Sequence, residues 1–324
     1  LMNYVYFLPM TSYLGCKGSD LGFFCAVAVY WLVLLAVQLR MPTILVPKLP
    51  HRHTSLLFFL VSVGACLFVM GISGLYTGFR LKLNISDVYG IRAEAAAYDI
   101  PGLFSYILSW MTVILSVLIL YWLQKRRYVA VGVLVVVYLF YYSISAQKSV
   151  FLFLFLLLFC YLLYRRWMYR WCAGLLSLGV MGCWVLEAGA QFLTPMSLFV
   201  RRLMYVPVQL SEVYSIKISK VIGEYMGTGS SANNGLVGDM YANLPVVLGV
   251  FLMPLILVIL FRLLDAAARD IPQKIYIGLC VFFAMSFCNG SWSTVLLSGG
   301  FLMACIFLYL FPVQKEEHVK NEQS

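Results

Sequence analysis

The sequence predicts an all-α, polytopic transmembrane helix bundle. This prediction rests on the composition of the chain and on the periodicity of its apolar residues. Hydrophobic residues make up 63% of the 324 residues and charged residues only 11%. The mean hydropathy of +0.91 is too high for a water-soluble domain of this length. Because backbone facing lipid must pair within its own segment, we expect helices, and the alternation typical of barrel strands is not seen.

Apolar runs of nearly bilayer length predict about nine or ten spans. The opening residues 1–14 are apolar but too short to cross alone, and we interpret them as the end of another span. The chain begins with leucine and could be a fragment, so the predicted single membrane domain of residues 1–324 is one that could extend further. The predicted spans are 21–39, 55–76, 103–123, 128–144, 150–164, 171–190, 244–261, 275–288 and 294–311, of which 150–164 and 275–288 are short.

Basic residues give the bundle a predicted orientation. Lys and Arg outnumber Asp and Glu by 23 to 13, and the excess lies in alternate connections, which the positive-inside rule places in the cytoplasm together with the charged tail 313–324. The net charge of +10 is therefore a topology signal, and we expect no nucleic-acid partner. These connections carry Arg40, Lys48 and Arg52; Lys125, Arg126 and Arg127; Arg165, Arg166 and Arg170; and Arg262, Arg269 and Lys274.

The remaining connections are predicted to face outward, and the largest of them is loop 191–243. A loop of this length in a compact membrane protein usually carries function. The outward connections also hold basic residues, against the orientation rule, and as a group these favour a site for an anion. Taken singly, each could equally solvate a loop or contact lipid headgroups. They are Arg80, Lys82, Arg92, Lys148, Arg201, Arg202, Lys217 and Lys220.

Loop 191–243 has three predicted parts. Residues 196–218 form an amphipathic helix that carries Arg201 and Tyr205 on its polar face, either as a site or simply closing the bundle. The run 227–235 is a flexible hinge or an anion cradle. Asp239 and Asn243 then share one face at the start of the helix that enters the bilayer, where Asp239 is either a cap or a buried carboxylate that accepts a proton. In loop 77–102, residues 87–98 predict a further short interfacial helix.

Residues 232–243 resemble a sequence found in bacterial O-antigen and capsule repeat-unit polymerases, Asn-x-Gly-x-x-Gly-Asp-x-Tyr-x-Asn, at the start of a late span. Three shorter features are similar to the same family, although that family usually has ten or more spans. They are Asp-Val-Tyr-x-x-Arg at 87–92, Ser-x-x-Lys-Ser at 145–149, and Arg201-Arg202 with Val206-Pro207 and Tyr214.

The resemblance implies a multi-pass enzyme of the bacterial inner membrane, with loop 191–243 in the periplasm. Such polymerases join oligosaccharide repeat units carried on undecaprenyl diphosphate into O-antigen, capsule or exopolysaccharide. Their partners are the lipid-linked glycans, the bilayer and a chain-length regulator protein. The sequence has no Asp-x-Asp pair and no nucleotide-binding domain, so we expect metal-independent transfer without a cofactor.

In this hypothesis cationic side chains stabilise the departing diphosphate, for which arginine is well suited. The catalytic candidates are Arg201, Arg202 and Asp239, where Asp239 is the preferred general base. The alternatives are Glu212, Glu224 and Glu187, or no base at all if the leaving group carries most of the driving force. Tyrosine rings could stack on sugars or simply pack. The remaining candidates for substrate binding are Arg80, Arg92, Lys148, Tyr205, Tyr214, Tyr241 and Asn243.

Two other functions are considered. An O-antigen ligase performs the same chemistry on a different acceptor, but ligases of that type use a histidine in the large outer loop, and loop 191–243 has none. A transporter of lipid-linked oligosaccharide or other polysaccharide would be expected to bury ionisable residues within its spans. The centres of the predicted spans lack such residues, which favours the polymerase.

Overall fold

The structure is a computed structural model that describes residues 1–17, 20–47, 54–83, 94–95, 97–145, 147–164, 174, 178, 181–182, 185, 211 and 235–312. These residues form helices and their connections, with no strand among them, which confirms the all-α class. Within the described residues, six helical segments are long and apolar enough to cross a membrane, one of them the interrupted segment Trp292–Tyr309, and the chain is therefore a multi-pass membrane protein.

The helices mostly begin and end within a few residues of the predicted spans. Short π-helical turns at Asn3–Phe7 and Ser73–Thr77 precede α1 and extend α3. The helices are α1 (Leu8–Lys17), α2 (Leu21–Arg40), α3 (Thr54–Ile72), α4 (Gly102–Gln124), α5 (Tyr128–Ser145), α6 (Lys148–Leu163), α7 (Gly235–Asn243), α8 (Val246–Ala267), α9 (Gln273–Asn289), α10 (Trp292–Leu296) and α11 (Phe301–Tyr309).

Two of the predicted spans differ from the helices observed. The span 244–261 begins at Val246 and runs on to Ala267. The predicted span 294–311 corresponds to Trp292–Tyr309, which is long and apolar enough to cross a membrane, but it is interrupted, because α10 ends at Leu296 and α11 begins at Phe301. Between them lie Gly299 and Gly300, and glycine is the poorest helix former after proline. Most of the predicted span 171–190 falls among residues that the structure does not describe.

The chain divides into two compact units that interleave along the sequence. Unit 1 consists of Leu1–Thr43, Leu162–Leu263 and Leu279–Phe301, and unit 2 of Ile44–Tyr161, Leu264–Gly278 and Leu302–Ser324. Aromatic side chains fill the core of each, because large rings bury the most apolar area per residue. In unit 1 the rings of Phe261, Phe283 and Phe287 surround Phe301 at 5.0 to 5.9 Å between centroids. In unit 2 the rings of Tyr121, Phe307 and Phe311 surround Phe58 at 4.9 to 5.8 Å.

Connections predicted to share the basic, cytoplasmic side contact one another within unit 2. Lys125 Nζ donates a hydrogen bond of 2.8 Å to Ser55 Oγ, so the α4–α5 connection meets the start of α3. The hydroxyl of Tyr309 donates to the carbonyl of Pro47 at 2.8 Å, which joins the end of α11 to the α2–α3 connection. The grouping of these connections agrees with the charge pattern. Which side of a membrane they face stays a prediction.

Unit 1 shows the same grouping at one point. The Arg262 guanidinium donates to the carbonyls of Gln38 and Met41 at 3.2 and 3.1 Å. These carbonyls lie at the end of α2, where the last backbone acceptors have no partner within the helix and a cation is favoured. Arg262 therefore stabilises the end of α2 from the predicted cytoplasmic end of α8.

Candidate functional site

The motif that carries the family resemblance forms most of α7 in unit 1. Residues 235–240 are buried, and the helix stops before Leu244-Pro245, because the residue that precedes a proline disfavours helical backbone. The sequence predicts that Asp239 and Asn243 lie at the start of the helix that enters the bilayer, and this prediction is wrong. They lie on a separate short helix, and α8 begins after it at Val246.

Asp239 is buried, with a relative exposure of 1%, and both of its carboxylate oxygens accept hydrogen bonds. Oδ1 accepts from the side-chain amide of Asn243 at 3.1 Å. Oδ2 accepts from the backbone N–H of Trp292 at 3.0 Å. The Asn243 amide also donates to the Asp239 carbonyl at 2.8 Å. The polar end of α7 is therefore tied to the connection between α9 and α10.

The contact with Trp292 gives Asp239 a capping role in another helix. Trp292 is the first residue of α10, whose first N–H groups have no partner within the helix. Ser291, the residue at the N-cap position, makes no side-chain cap hydrogen bond in the described structure. The Asp239 carboxylate supplies that bond from α7, and its charge suits the positive end of α10. Asp239 is therefore buried, and the helix that it caps is α10 and not its own, while its role as a proton acceptor stays a prediction.

The first turn of α7 is fixed by a hydroxyl from the start of the chain. The N–H of Val237 donates to Tyr6 Oη at 3.1 Å, and Tyr6 Oη also shares a hydrogen bond of 2.9 Å with Ser211 Oγ. Ser211 belongs to the predicted outward loop, so Tyr6 links that loop to α7. All three groups are buried.

Gly235 opens α7 at a point where no other residue fits. Its backbone has φ of +66°, a conformation that strains residues with a Cβ. A Cβ there would lie 2.8 Å from the carbonyl oxygen of Cys288, at the end of α9, and 3.1 Å from Tyr6 Oη. The glycine in the motif therefore allows α7 to approach α9 closely.

Tyr30 of α2 adds a buried hydroxyl to the same region. Its side chain is fully buried, and its Oη has no hydrogen-bond partner within the described residues. Its ring packs against that of Phe7, the neighbour of Tyr6, with centroids 5.5 Å apart. Unit 1 therefore collects polar groups around α7 within an otherwise apolar bundle.

Tyr241 and Asn243 lie in the C-terminal part of α7. Tyr241 is half-buried, and its ring packs against Phe23, with centroids 5.4 Å apart and a 45° tilt. Asn243 is exposed, while its amide bonds the buried Asp239. The observed packing of Tyr241 is the simpler of its two predicted roles, and stacking on a sugar stays a prediction.

In unit 2 the predicted cations Arg80 and Lys82 are fixed against α5. The N–H of Lys82 donates to Ser143 Oγ at 2.8 Å, and Ser143 Oγ donates to the Arg80 carbonyl at 3.1 Å. Ser143 lies near the end of α5, just before the short turn after which α6 begins at Lys148. The connection after α3 therefore lies against the last residues of α5, close in sequence to the turn that precedes Lys148.

Glu94 is shared by these two cations. Lys82 Nζ donates a short hydrogen bond to Glu94 Oε2, and Arg80 Nη1 lies 3.9 Å from Glu94 Oε1. The hydroxyl of Tyr98 donates to Glu94 Oε1 at 3.3 Å. The hydrogen bond from Lys82, more than any other contact, lowers the pKa of the Glu94 carboxyl. The Arg80 side chain keeps 72% exposure, so its guanidinium remains accessible to an anion.

The structure brings together only part of the predicted site. Asp239, Tyr241 and Asn243 share α7 in unit 1, and Arg80 lies beside the turn that precedes Lys148 in unit 2. The convergence of arginines on one diphosphate is therefore not tested and stays a prediction. The other candidates lie outside the described residues, and they are Arg92, Arg201, Arg202, Tyr205 and Tyr214.

Sequence reasoning missed the groups that hold these candidates in place. Tyr6 lies in an opening segment that resembles a plain apolar run, and Trp292 contributes a backbone N–H, which any residue except proline would supply. Ser143 gave the one available signal, because it is a small polar residue near the end of an apolar helix and faces a basic loop.

Comparison of the chain with protein-family models, with curated proteins and with solved structures finds no match. The resemblance to the polymerases therefore depends on the short motifs and on the structure that those motifs adopt.

Proposed function

We propose that this chain is a membrane glycosyltransferase that joins repeat units carried on undecaprenyl diphosphate into a longer polysaccharide. The observation that supports the proposal is the structure of the polymerase-like motif. Gly235 permits the close packing of α7, Asp239 ties α7 to α10, and Asn243 holds the Asp239 carboxylate. Residues chosen only to cross lipid would not need these polar contacts.

In the proposed reaction, an acceptor sugar hydroxyl attacks the anomeric carbon of the donor. A carbon–oxygen bond forms there while the bond from that carbon to the diphosphate oxygen breaks, and the diphosphate leaves with the electron pair. Cations stabilise its developing charge, each typically by about 2.7–4 kcal/mol. The proposed cations are Arg80, Arg92, Lys148, Arg201 and Arg202.

The hydroxyl proton goes to a carboxylate or to water. Asp239 is the candidate base nearest the motif, but both of its oxygens already accept hydrogen bonds. To act as a base it would exchange the Asn243 contact for the substrate hydroxyl, since a base must come within hydrogen-bond reach of its proton. Asn243 is exposed and contacts Oδ1, whereas Trp292 contacts Oδ2, so Asn243 can move aside without breaking the contact with Trp292.

The test is genetic complementation followed by measurement of polysaccharide length. In a strain that lacks this protein, the wild-type chain should restore long polymer, whereas Arg201→Ala and Arg202→Ala should leave single repeats with the protein still in the membrane. Arg127→Ala, at the predicted cytoplasmic end, is the matched control and should restore long polymer. Normal length in both outer variants would overturn the proposed role of these arginines.

The deletion strain also separates the alternative functions. Loss of a polymerase leaves single capped repeats, loss of a ligase strands polymer on the lipid carrier, and loss of a transporter leaves repeats facing the cytoplasm. The buried carboxylate of Asp239 favours the transporter as the second candidate, because ionisable groups inside a membrane bundle often line transport pathways. Repeat units that remain on the cytoplasmic face in the deletion strain would favour the transporter over the polymerase.

A further inference from the structure

Unit 2 carries an apolar groove between α3 and α4. It has a volume of about 270 Å³ and is lined entirely by apolar side chains and one glycine. Gly64 and Ala65 lie on the α3 side, and Met111 and Ile114 lie on the α4 side. Phe68 and Ile107 complete its upper wall, where Phe68 also packs edge to face against Phe104 at 6.0 Å.

The groove lies near the connection that carries the predicted outward cations Arg80 and Lys82. On α4 it extends from Ile107 to Ile114, about 8 to 18 Å below Gly102 at roughly 1.5 Å of rise per residue. Gly102 closes the same connection that carries Arg80 and Lys82. The groove therefore lies in the half of unit 2 nearest these cations. With that connection at the bilayer surface, as the sequence predicts, this is the depth where the chain of a lipid begins below its headgroup.

The charges above the groove suit an anionic headgroup. Arg80 and Lys82 share the single carboxylate of Glu94, so one positive charge remains uncompensated among these three residues. The Arg80 side chain is 72% exposed. Arginine binds phosphate oxygens in a bidentate manner, and an exposed guanidinium can do so without first being freed from a buried ion pair.

The floor of the groove suits a branched chain. Gly64 is exposed, and a Cβ added to it would meet no atom within 4 Å. A volume of about 270 Å³ is below that of a typical drug-sized pocket and accommodates a segment of chain but not a headgroup. Every isoprene unit of a polyprenyl chain carries a methyl branch, and such a branch can fill the space above Gly64.

We propose that the groove between α3 and α4 holds a segment of the polyprenyl chain of a lipid diphosphate whose headgroup is bound at Arg80. This inference rests on the proposed function and adds to it the place of the lipid carrier within the protein. It requires that the groove distinguish a polyprenyl chain from the acyl chains of the surrounding bilayer.

The test fills the groove without disturbing the fold. Gly64→Leu places a side chain in open space within α3 and also removes a glycine from a helix. Gly132→Leu is the matched control, since Gly132 is also an exposed helical glycine with no atom near its Cβ position, on α5 and outside the groove. Both variants should keep the unfolding temperature of the wild type or exceed it.

Binding is measured by native mass spectrometry of the full chain, released from phosphatidylcholine nanodiscs that contain undecaprenyl diphosphate. We expect Gly64→Leu to weaken retention of this lipid about tenfold, which corresponds to about 1.4 kcal/mol, and Gly132→Leu to retain it fully. Phosphatidylglycerol added in equal amount should not displace it. Arg80→Ala should weaken retention as well, because the headgroup then loses its cation.

The possible failures are distinguishable. If the wild type does not retain undecaprenyl diphosphate, the proposed function fails and the inference fails with it. If the wild type and Gly64→Leu retain it equally, the inference alone is overturned, and the carrier binds elsewhere. If phosphatidylglycerol displaces it, the groove is covered by ordinary bilayer lipid, which also overturns the inference.

Discussion

The predicted outer ends of the two units hold their charges in opposite ways. In unit 1 the Asp239 carboxylate is buried, and both of its oxygens are used by Asn243 and by the Trp292 N–H. In unit 2 the Arg80 guanidinium is largely exposed and shares Glu94 with Lys82. A buried charge is costly to leave unpaired, whereas an exposed ion pair contributes little to stability. Substitutions should therefore act on folding in unit 1 and on ligand binding in unit 2.

The largest effect on stability is expected at Gly235. Gly235→Ala combines a left-handed backbone, which costs about 1–2 kcal/mol, with a Cβ only 2.8 Å from the Cys288 carbonyl oxygen, which adds about 1–3 kcal/mol. Gly78 of unit 2 is the matched control, because its φ is +58° but no atom lies within 4 Å of its Cβ position. Gly78→Ala should lose only about 1–2 kcal/mol.

Thermal unfolding of the two glycine variants, in the same detergent, measures this difference. Equal losses at Gly235 and Gly78 would show that α7 is not packed tightly against α9, and the proposed role of the motif glycine would then be withdrawn.

The second effect is expected at Asp239. Asp239→Ala leaves the part-buried N–H of Trp292 without this acceptor, which costs about 1–3 kcal/mol. Asp239→Asn keeps an oxygen for Trp292 and should lose less. The control is Asp99→Ala, since Asp99 is exposed, and its midpoint of thermal unfolding should match the wild type. An Asp239→Ala protein as stable as Asp99→Ala would contradict the capping role.

A smaller effect is expected from pH at Glu94. Its pKa is lowered in the folded chain, chiefly by Lys82. The contribution of ionised Glu94 to the free energy of unfolding is therefore complete above the ordinary pKa of about 4.3. The contribution is lost as the pH falls through the lowered value. Carboxyl-carbon NMR of labelled Glu94 should show a midpoint below about 4.3. Lys82→Met should move that midpoint upward, and an unchanged midpoint would exclude the Lys82 contact as the cause.

The smallest effect on stability is expected at Arg80. Its side chain is 72% exposed and lies 3.9 Å from Glu94, so Arg80→Ala should change stability by less than about 0.5 kcal/mol. The same substitution should shorten the polysaccharide in the complementation assay. Arg127→Ala serves again as control and should change neither. A large loss of stability in Arg80→Ala would remove the contrast between the two units.

The helices were largely predictable from the sequence, because long apolar runs have few other stable forms in lipid. α2, α4 and α5 begin and end within about one residue of the predicted spans. The break between α10 and α11 was not predicted. Gly299 and Gly300 interrupt the helix without adding charge, so they barely change the hydropathy of the segment. The boundary between α7 and α8 at Pro245 was visible, yet the apolar run around it favoured a single helix.

Contacts of the candidate site could be predicted from the sequence only where two side chains lie close together along the chain. Asp239 and Asn243 share a face because they are one helical turn apart, and the hydrogen bond between them follows from that spacing. The contact from Asp239 to Trp292 spans 53 residues and ends on a backbone N–H, so no pattern of residue types reveals it. The pairing of Arg80 and Lys82 with Glu94 likewise depends on how the connection after α3 turns back along Ser143.

The hydrogen bond between Tyr6 and Val237 also bears on biogenesis. The two residues are 231 positions apart, so a ribosome that adds about 5–20 residues per second makes Val237 roughly 10 to 50 s after Tyr6. Cys288 and Trp292, which α7 also contacts, emerge later still. The helix α7 can reach its final place only after α9 and the first residue of α10 have been made. Under the proposed function, ribosome-bound chains arrested before Trp292 should therefore remain inactive.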